Sequence, residues 1–207
     1  MIELFDTTLN FEQIYLIVFA ILYFGLVLGI RTLILFKRTG INPMEKFGRK
    51  SNHFLAERLI SLAVLIFFVV VGNHLILTRN IKFLIPIQFL DLNWIMHTGF
   101  VMICLGLLST FIAQLQMKDS WRIGLDQGNQ IQLIDQGFFA HSRNPIYVAL
   151  MIAYLGVFLV VPSIISLIFV ILMGIGLHLK VKGEEDFLEK RLGEQYMEYK
   201  GKVPRWF

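Results

Sequence analysis

The chain has 207 residues, room for one domain of ordinary size. Apolar residues make up 56 %, aromatics 14 % and charged residues 16 %, whereas a soluble globular chain carries about 25 % charged residues. With a mean hydropathy of +0.67 and a net charge of only +4, the composition excludes a typical soluble enzyme, a disordered chain and a collagen-like fibre, and leaves a polytopic membrane protein. The single cysteine, Cys104, excludes an internal disulfide framework and a multi-cysteine metal site.

The first apolar run extends from about Ile14 to Phe36, longer than a secretory leader and with no basic segment ahead of it. A helix of about 20 apolar residues crosses a hydrocarbon core of roughly 30 Å. Arg31, near the basic end of this run, reads as a snorkelling side chain, and Gly25 with Gly29 as a small-residue helix-packing face. A second run covers about Leu59 to Leu77. A third, opened by the interfacial anchor Asn93-Trp94, covers about Trp94 to Leu115. Gln116 to Asn144 is polar. The last block, Ile146 to Leu179, is too long for one crossing, and Pro162-Ser163 near its middle marks a turn and a helix restart. Beyond it, Leu188, Leu192, Tyr196 and Tyr199 recur at helical spacing.

The reading is therefore an all-α, polytopic integral membrane protein with about five transmembrane helices. The last two form a tight hairpin, and a cytoplasmic helix closes the chain. Lysine and arginine set the orientation. Lys37, Arg38, Lys46, Arg49, Lys50 and Arg58 crowd the first loop, and Lys118, Arg122, Arg143, Lys180 and Lys182 follow the third and fifth spans. The amino-terminal tail holds only Glu3, Asp6 and Glu12. The amino terminus is thus expected outside, with the polar segment and the tail in the cytoplasm. Residues 1–92 would carry spans one and two with their basic loop, and residues 93–207 the functional core.

Two cytoplasmic segments are too specific to be mere connectors. In the first, Pro145 at the opening turn of span four pushes Asn144 toward an extended conformation and sets Arg143 and Asn144 at the membrane surface. Tyr147 follows at interfacial depth, where its ring could stack on a base or sit in an aromatic belt. In the second, Glu184 and Glu185 leave span five about 100° apart on the helix, so one can face a site while the other faces a lysine or water. They suit an ammonium group or a ribose diol, or equally a solvated face with Glu184 paired to Lys180. His178 lies seven residues before Glu185, on roughly the same face. His53, His74, His97 and His141 are scattered without ligand spacing, so no metal is expected.

Trp121-Arg122-Ile123-Gly124, Gly137 leading to Ser142-Arg143-Asn144-Pro145-Ile146-Tyr147, Glu184-Glu185 with Leu188, Gly193 with Tyr196 and Tyr199, and Val203-Pro204-Arg205-Trp206 occur in that order. In order and spacing, with a helical hairpin between the Arg-Asn-Pro-x-Tyr and Glu-Glu elements, the chain resembles the isoprenylcysteine carboxyl methyltransferase and phospholipid methyltransferase superfamily. The resemblance covers roughly residues 93 to 207. It implies an S-adenosyl-L-methionine-dependent methyltransferase without a Rossmann fold, its cofactor in a cytoplasmic pocket over the last two spans and closed by the carboxy-terminal helix. By motif position Arg143, Asn144, Pro145 and Tyr147 would line the cofactor site, and Glu184 and Glu185 would hold its amino-acid or ribose end. His141 and His178 are placed beside them, although His141 departs from the family pattern. Many family members also have histidine where this chain has Asn144.

The catalytic candidates are Arg122, Arg205 and Glu185. Either arginine could hold a carboxylate acceptor, whereas an amine or hydroxyl acceptor would need Glu184 or Glu185 as a base. The acceptor would be lipophilic and would enter from the bilayer, an isoprenylcysteine-type carboxylate or a lipid headgroup. Membrane lipids are the expected surroundings, in a prokaryotic cytoplasmic membrane, and no nucleic acid is expected as a partner. Two alternatives stay open: an NADPH-dependent membrane reductase of related fold, and a non-enzymatic membrane scaffold.

Overall fold

The structure is a computed structural model that describes residues 10–39, 53–76, 81–117 and 133–207. Trp121-Arg122-Ile123-Gly124 and the side chain of Arg31 lie outside what is described. Helix α1 (Phe11–Ala20) runs directly into a π-helical segment, Ile21–Ile30, and then α2 (Arg31–Thr39). After these come α3 (His53–Ile76), α4 (Asn93–Gln116), α5 (Pro145–Val160), α6 (Ile164–Leu192) and α7 (Glu194–Lys202), with no sheet among the described residues.

Among the described residues, four helices are long and apolar enough to cross a membrane: Phe11–Ile34, Phe54–Asn73, Asn93–Gln116 and Ile164–Leu192. The chain is an integral membrane protein by this measure. The remaining expected crossing, span four, corresponds to α5, whose 16 residues give a length of about 24 Å, short of a hydrocarbon core of roughly 30 Å. Exposed apolar side chains such as Ile21, Leu65, Phe68, Leu105, Leu108 and Ile171 stud the outside of the bundle. In water so many would be an aggregation hazard; against lipid chains they cost nothing.

Local chemistry fixes the hairpin where the sequence places it. Helix α5 ends at Val160, and Ser163 caps α6, its hydroxyl accepting from the Ser166 amide at 3.1 Å. Removing such a cap costs about 0.5–2 kcal/mol. The hairpin is tied to the linker before α4, because the Ile87 amide donates to the Pro162 carbonyl at 2.8 Å and the Ile164 amide to the Ile85 carbonyl at 3.0 Å. Helix α6, at 29 residues, is about 43 Å long. It therefore outruns the bilayer and carries Glu184 and Glu185 beyond the apolar stretch that ends at Leu179. It stops at Gly193, whose φ of 54° is a conformation that side chains disfavour, and α7 folds back from there.

The close helix contacts are not where the sequence put them. Among the described residues, a Cβ at Gly25 would meet nothing within 4 Å, and one at Gly29 would meet only the backbone of its own segment at Phe24. The small-residue packing face lies instead between α4 and α5, where a Cβ on Gly156 would stand 2.5 Å from the Gly99 carbonyl oxygen and one on Gly99 2.7 Å from that of Gly156. Neither obstacle is a flexible side chain, so the helices themselves must part. Gly156→Ala is expected to destabilise the protein by about 1–3 kcal/mol through overpacking, whereas Gly25→Ala should leave the melting temperature in detergent unchanged. Equal melting of the two variants would refute this packing.

Candidate functional site

Pro145 occupies the first turn of α5, with Asn144 just ahead of it at φ −133° and ψ 50°. Its ring presets the helical φ and needs no hydrogen-bond acceptor there. This fixes the backbone so that Arg143 and Asn144 point toward α6, and both meet Glu185. The Glu185 carboxylate, 3 % exposed, accepts five contacts. Oε1 takes Arg143 Nε at 3.1 Å and Asn144 Nδ2 at 3.0 Å. Oε2 takes Arg205 Nη2 at 2.8 Å, Arg205 Nε at 3.0 Å and Arg143 Nη2 at 3.4 Å. Two guanidinium groups thus share one buried carboxylate, and this bonding to Glu185 raises Arg205 above its ordinary pKa.

The same residues stitch down the carboxy-terminal tail. Arg143 Nη1 donates to the carbonyls of Val203 at 2.7 Å and Lys200 at 3.1 Å, and the Arg143 amide donates to the Pro204 carbonyl at 2.9 Å. Ser142 Oγ and Asn144 Nδ2 both donate to the Arg205 carbonyl at 3.3 Å. Below the tail, Tyr196, Tyr199 and Val203 pack with Leu133, Leu188 and Leu192 in a small apolar cluster of their own. Tyr199 donates to the Phe139 carbonyl at 2.6 Å, and burial pushes its hydroxyl up to about 12. The expected carboxy-terminal helix is therefore present and bonded in place, broken from α6 at Gly193 rather than continuous with it.

Glu184 points elsewhere. It accepts from the Tyr147 hydroxyl at 2.7 and 2.9 Å, and Lys180 Nζ stands 3.9 Å away, one turn back along α6. Lys180 also lies over the Tyr147 ring, 6.0 Å from its centroid. Glu184 thus has its lysine and also lines a hollow.

That hollow is a single cavity of about 510 Å³. One end is polar, with Arg143, Asn144, Tyr147, Lys180, Glu184 and Glu185 in its wall, and Gln114 and Phe139 beside them. The other end is apolar and reaches between the bundle helices, past Phe24, Val27, Ile60, Leu150 and Met173. A volume of about 300–1,000 Å³ is usual for a small-molecule or cofactor site.

The tip of α5 and the exit of α6 therefore converge, bringing together Arg143, Asn144, Pro145, Tyr147, Glu184 and Glu185. Three of the residues singled out from sequence stand apart. His141 is exposed and absent from the cavity wall. His178 is also exposed, its ring 6.2 Å from that of Trp206, on the outside of α6. Arg205 reaches Glu185 from the tail side and does not border the cavity. Arg122 lies outside the described residues. Sequence reasoning missed Gln114 and the pair Tyr23 and Tyr154, and gave Tyr196 no place in the site although it belongs to the motif, yet all four are in the cavity wall. The signal available for the two tyrosines was a polar tip in the middle of an otherwise apolar span.

Among known families, the model of the phospholipid methyltransferase family matches residues 94–195, about half of the chain, from the start of α4 through both carboxylates to the beginning of α7. No curated protein and no solved structure matches the chain. The matched segment contains Arg143 to Tyr147, Glu184 and Glu185, while the first two spans and Arg205 fall outside it. Through this segment the chain belongs to the isoprenylcysteine and phospholipid methyltransferase superfamily, a group of membrane methyltransferases.

Proposed function

We propose that the protein transfers a methyl group from S-adenosyl-L-methionine to a lipophilic acceptor, at the cytoplasmic face of a prokaryotic membrane. One observation carries this reading: a single cavity joins the polar Arg-Asn-Pro-x-Tyr and Glu-Glu elements to an apolar chamber inside the bundle. A water-soluble cofactor and a membrane-soluble acceptor can meet there without either leaving its own solvent.

The residues present fit the cofactor. Glu184, oriented by Tyr147, offers a carboxylate to an ammonium or a ribose diol, and Lys180 offers a cation to a carboxylate. Phe139 and Leu133 give an apolar wall for a base. When bound, the cofactor supplies an electrophilic methyl group on a sulfonium, and the protein's work is then mainly alignment and exclusion of water. Arg143, Asn144 and Glu185 hold the α5 tip, α6 and the tail in register around that space. Because Glu185 already accepts from two arginines and Asn144, Glu184 is the better base for an amine or hydroxyl acceptor. Arg205, spent on Glu185, would have to leave that partner to hold a carboxylate acceptor. His141 and His178 have no part in this reading.

Calorimetric titration of the purified full chain tests it. S-adenosylhomocysteine is expected to bind with micromolar affinity and NADPH not at all. Binding of NADPH alone would make the protein a reductase, and binding of neither would make the cavity something other than a nucleotide site.

A further inference from the structure

Among the described residues, the apolar end of the cavity holds one polar feature. Tyr154, on α5 and 2 % exposed, and Tyr23, on the π-helical segment, join hydroxyl to hydroxyl at 2.9 Å, and both border the hollow. Their neighbours there are Phe24, Val27, Leu28, Ile60, Val64 and Met173. Two hydroxyls carry two protons, and the bond between them uses one. Among the described residues nothing accepts the other. A donor left unmatched in an apolar site costs about 1–3 kcal/mol, so this end of the cavity is built to be completed by an acceptor atom. The pair is reached along α5 from Tyr147, seven residues earlier and so about 10 Å deeper.

The winding of the first span serves the same wall. A π-helix bonds i to i+5, which brings side chains four and five apart onto one face. Tyr23, Val27 and Leu28, with Phe24, all border the cavity from the Ile21–Ile30 segment. This wall comes from outside the family-matched residues 94–195, as expected of a surface that distinguishes one acceptor from another.

We propose that Tyr23, backed by Tyr154, is a specificity-determining residue that hydrogen-bonds an uncharged oxygen on a slender, single-chain lipophile lying in the apolar chamber. A hydroxyl, ether or carbonyl oxygen meets the spare phenolic proton. A hydrocarbon leaves it unmatched, and a charged group at this depth meets no opposite charge among the chamber residues. The cavity, at about 510 Å³, is the size of one drug-sized site, so it admits a narrow chain beside the cofactor space and not a whole two-chain lipid. That this ligand is the methyl acceptor rests on the methyltransferase reading above; its binding does not.

The test is equilibrium binding of radiolabelled dodecanol and dodecane to the full chain in nanodiscs, corrected for empty nanodiscs. Wild type is expected to prefer dodecanol by about three- to tenfold, the worth of one net hydrogen bond. The preference should shrink in Tyr23→Phe and vanish in Tyr23→Phe/Tyr154→Phe, with S-adenosylhomocysteine affinity unchanged in both. A second, variant-free arm is photolysis of a dodecanol with a terminal diazirine, whose adducts are expected on chamber residues such as Phe24, Val27 and Ile60. Equal binding of alcohol and alkane by wild type overturns the proposal. So does a preference that survives the double variant, which would leave the tyrosines as a structural tie between the first span and α5. Loss of S-adenosylhomocysteine binding with the dodecanol preference intact would overturn the methyltransferase reading alone.

Discussion

Glu185→Ala is expected to be the most damaging single substitution at the site, costing about 3–5 kcal/mol of stability, the usual penalty for breaking a buried ion pair from one side. The carboxylate is 3 % exposed and is the shared partner of Arg143, Arg205 and Asn144. Without it Arg143, whose side chain is 9 % exposed, keeps only the carbonyls of Lys200 and Val203 for its guanidinium among the described residues, and loses the carboxylate that it pairs with. Arg205 loses the carboxylate that it grips, so the tail should loosen at its last residues. Both effects are measurable: a lower melting temperature in detergent, and faster removal of the carboxy-terminal residues by carboxypeptidase. The control is Glu189→Ala. Its bond to Lys200 is short, at 2.8 Å, but both side chains are more than a third exposed, so its loss is worth at most about 1 kcal/mol. Equal melting of the two variants, or a tail as protected as in wild type, would show that Glu185 does not hold the cap.

The part of the fold legible in the sequence is the part that one-dimensional signals determine. Apolar runs set the long helices because a bilayer demands uninterrupted internal hydrogen bonding over a fixed thickness. Pro145 and Ser163 mark helix starts through φ and capping chemistry that depend on nearest neighbours alone. The convergence of Arg143-Asn144 with Glu184-Glu185 was legible too, though only because the motif order matched a known family. Pairwise distances were not. Glu184 and Glu185 look alike in sequence, yet a rotation of about 100° along α6 gives one a lysine and a cavity and the other two arginines and a tail. Gly25 and Gly29 carry the spacing of a packing face, but spacing cannot say whether a partner helix arrives. It arrives instead at Gly99 and Gly156, fifty-seven residues apart in the chain. The π-helical winding of Ile21–Ile30 left no mark in a segment that reads simply as apolar. The alignment of Tyr23 with Tyr154 depends on that winding.

Glu184→Gln should produce the opposite signature to its neighbour: a large loss of cofactor binding with the fold kept. Glutamine has the shape of glutamate, and its amide oxygen can still accept from the Tyr147 hydroxyl, now 2.7 Å from Oε1. Lys180, 3.9 Å away, loses a partner at a site where both side chains retain some exposure, 17 % and 22 %, so water can compensate. A ligand ammonium or diol loses a charge-assisted hydrogen bond worth about 1.5–3 kcal/mol, which converts to a weakening of about 10- to 150-fold in Kd. Calorimetry with S-adenosylhomocysteine reads this directly, and melting in the absence of ligand should stay close to wild type. Tyr147→Phe should fall between, at about fivefold, since it leaves the carboxylate charged but no longer aimed by the phenol. If Glu184→Gln binds the ligand as tightly as wild type, Glu184 is only the partner of Lys180 and Tyr147, and the polar end of the cavity holds its ligand by other groups. If instead it melts as early as Glu185→Ala, the two carboxylates share one structural task, and the division between a residue that faces the ligand and one that locks the tail is wrong.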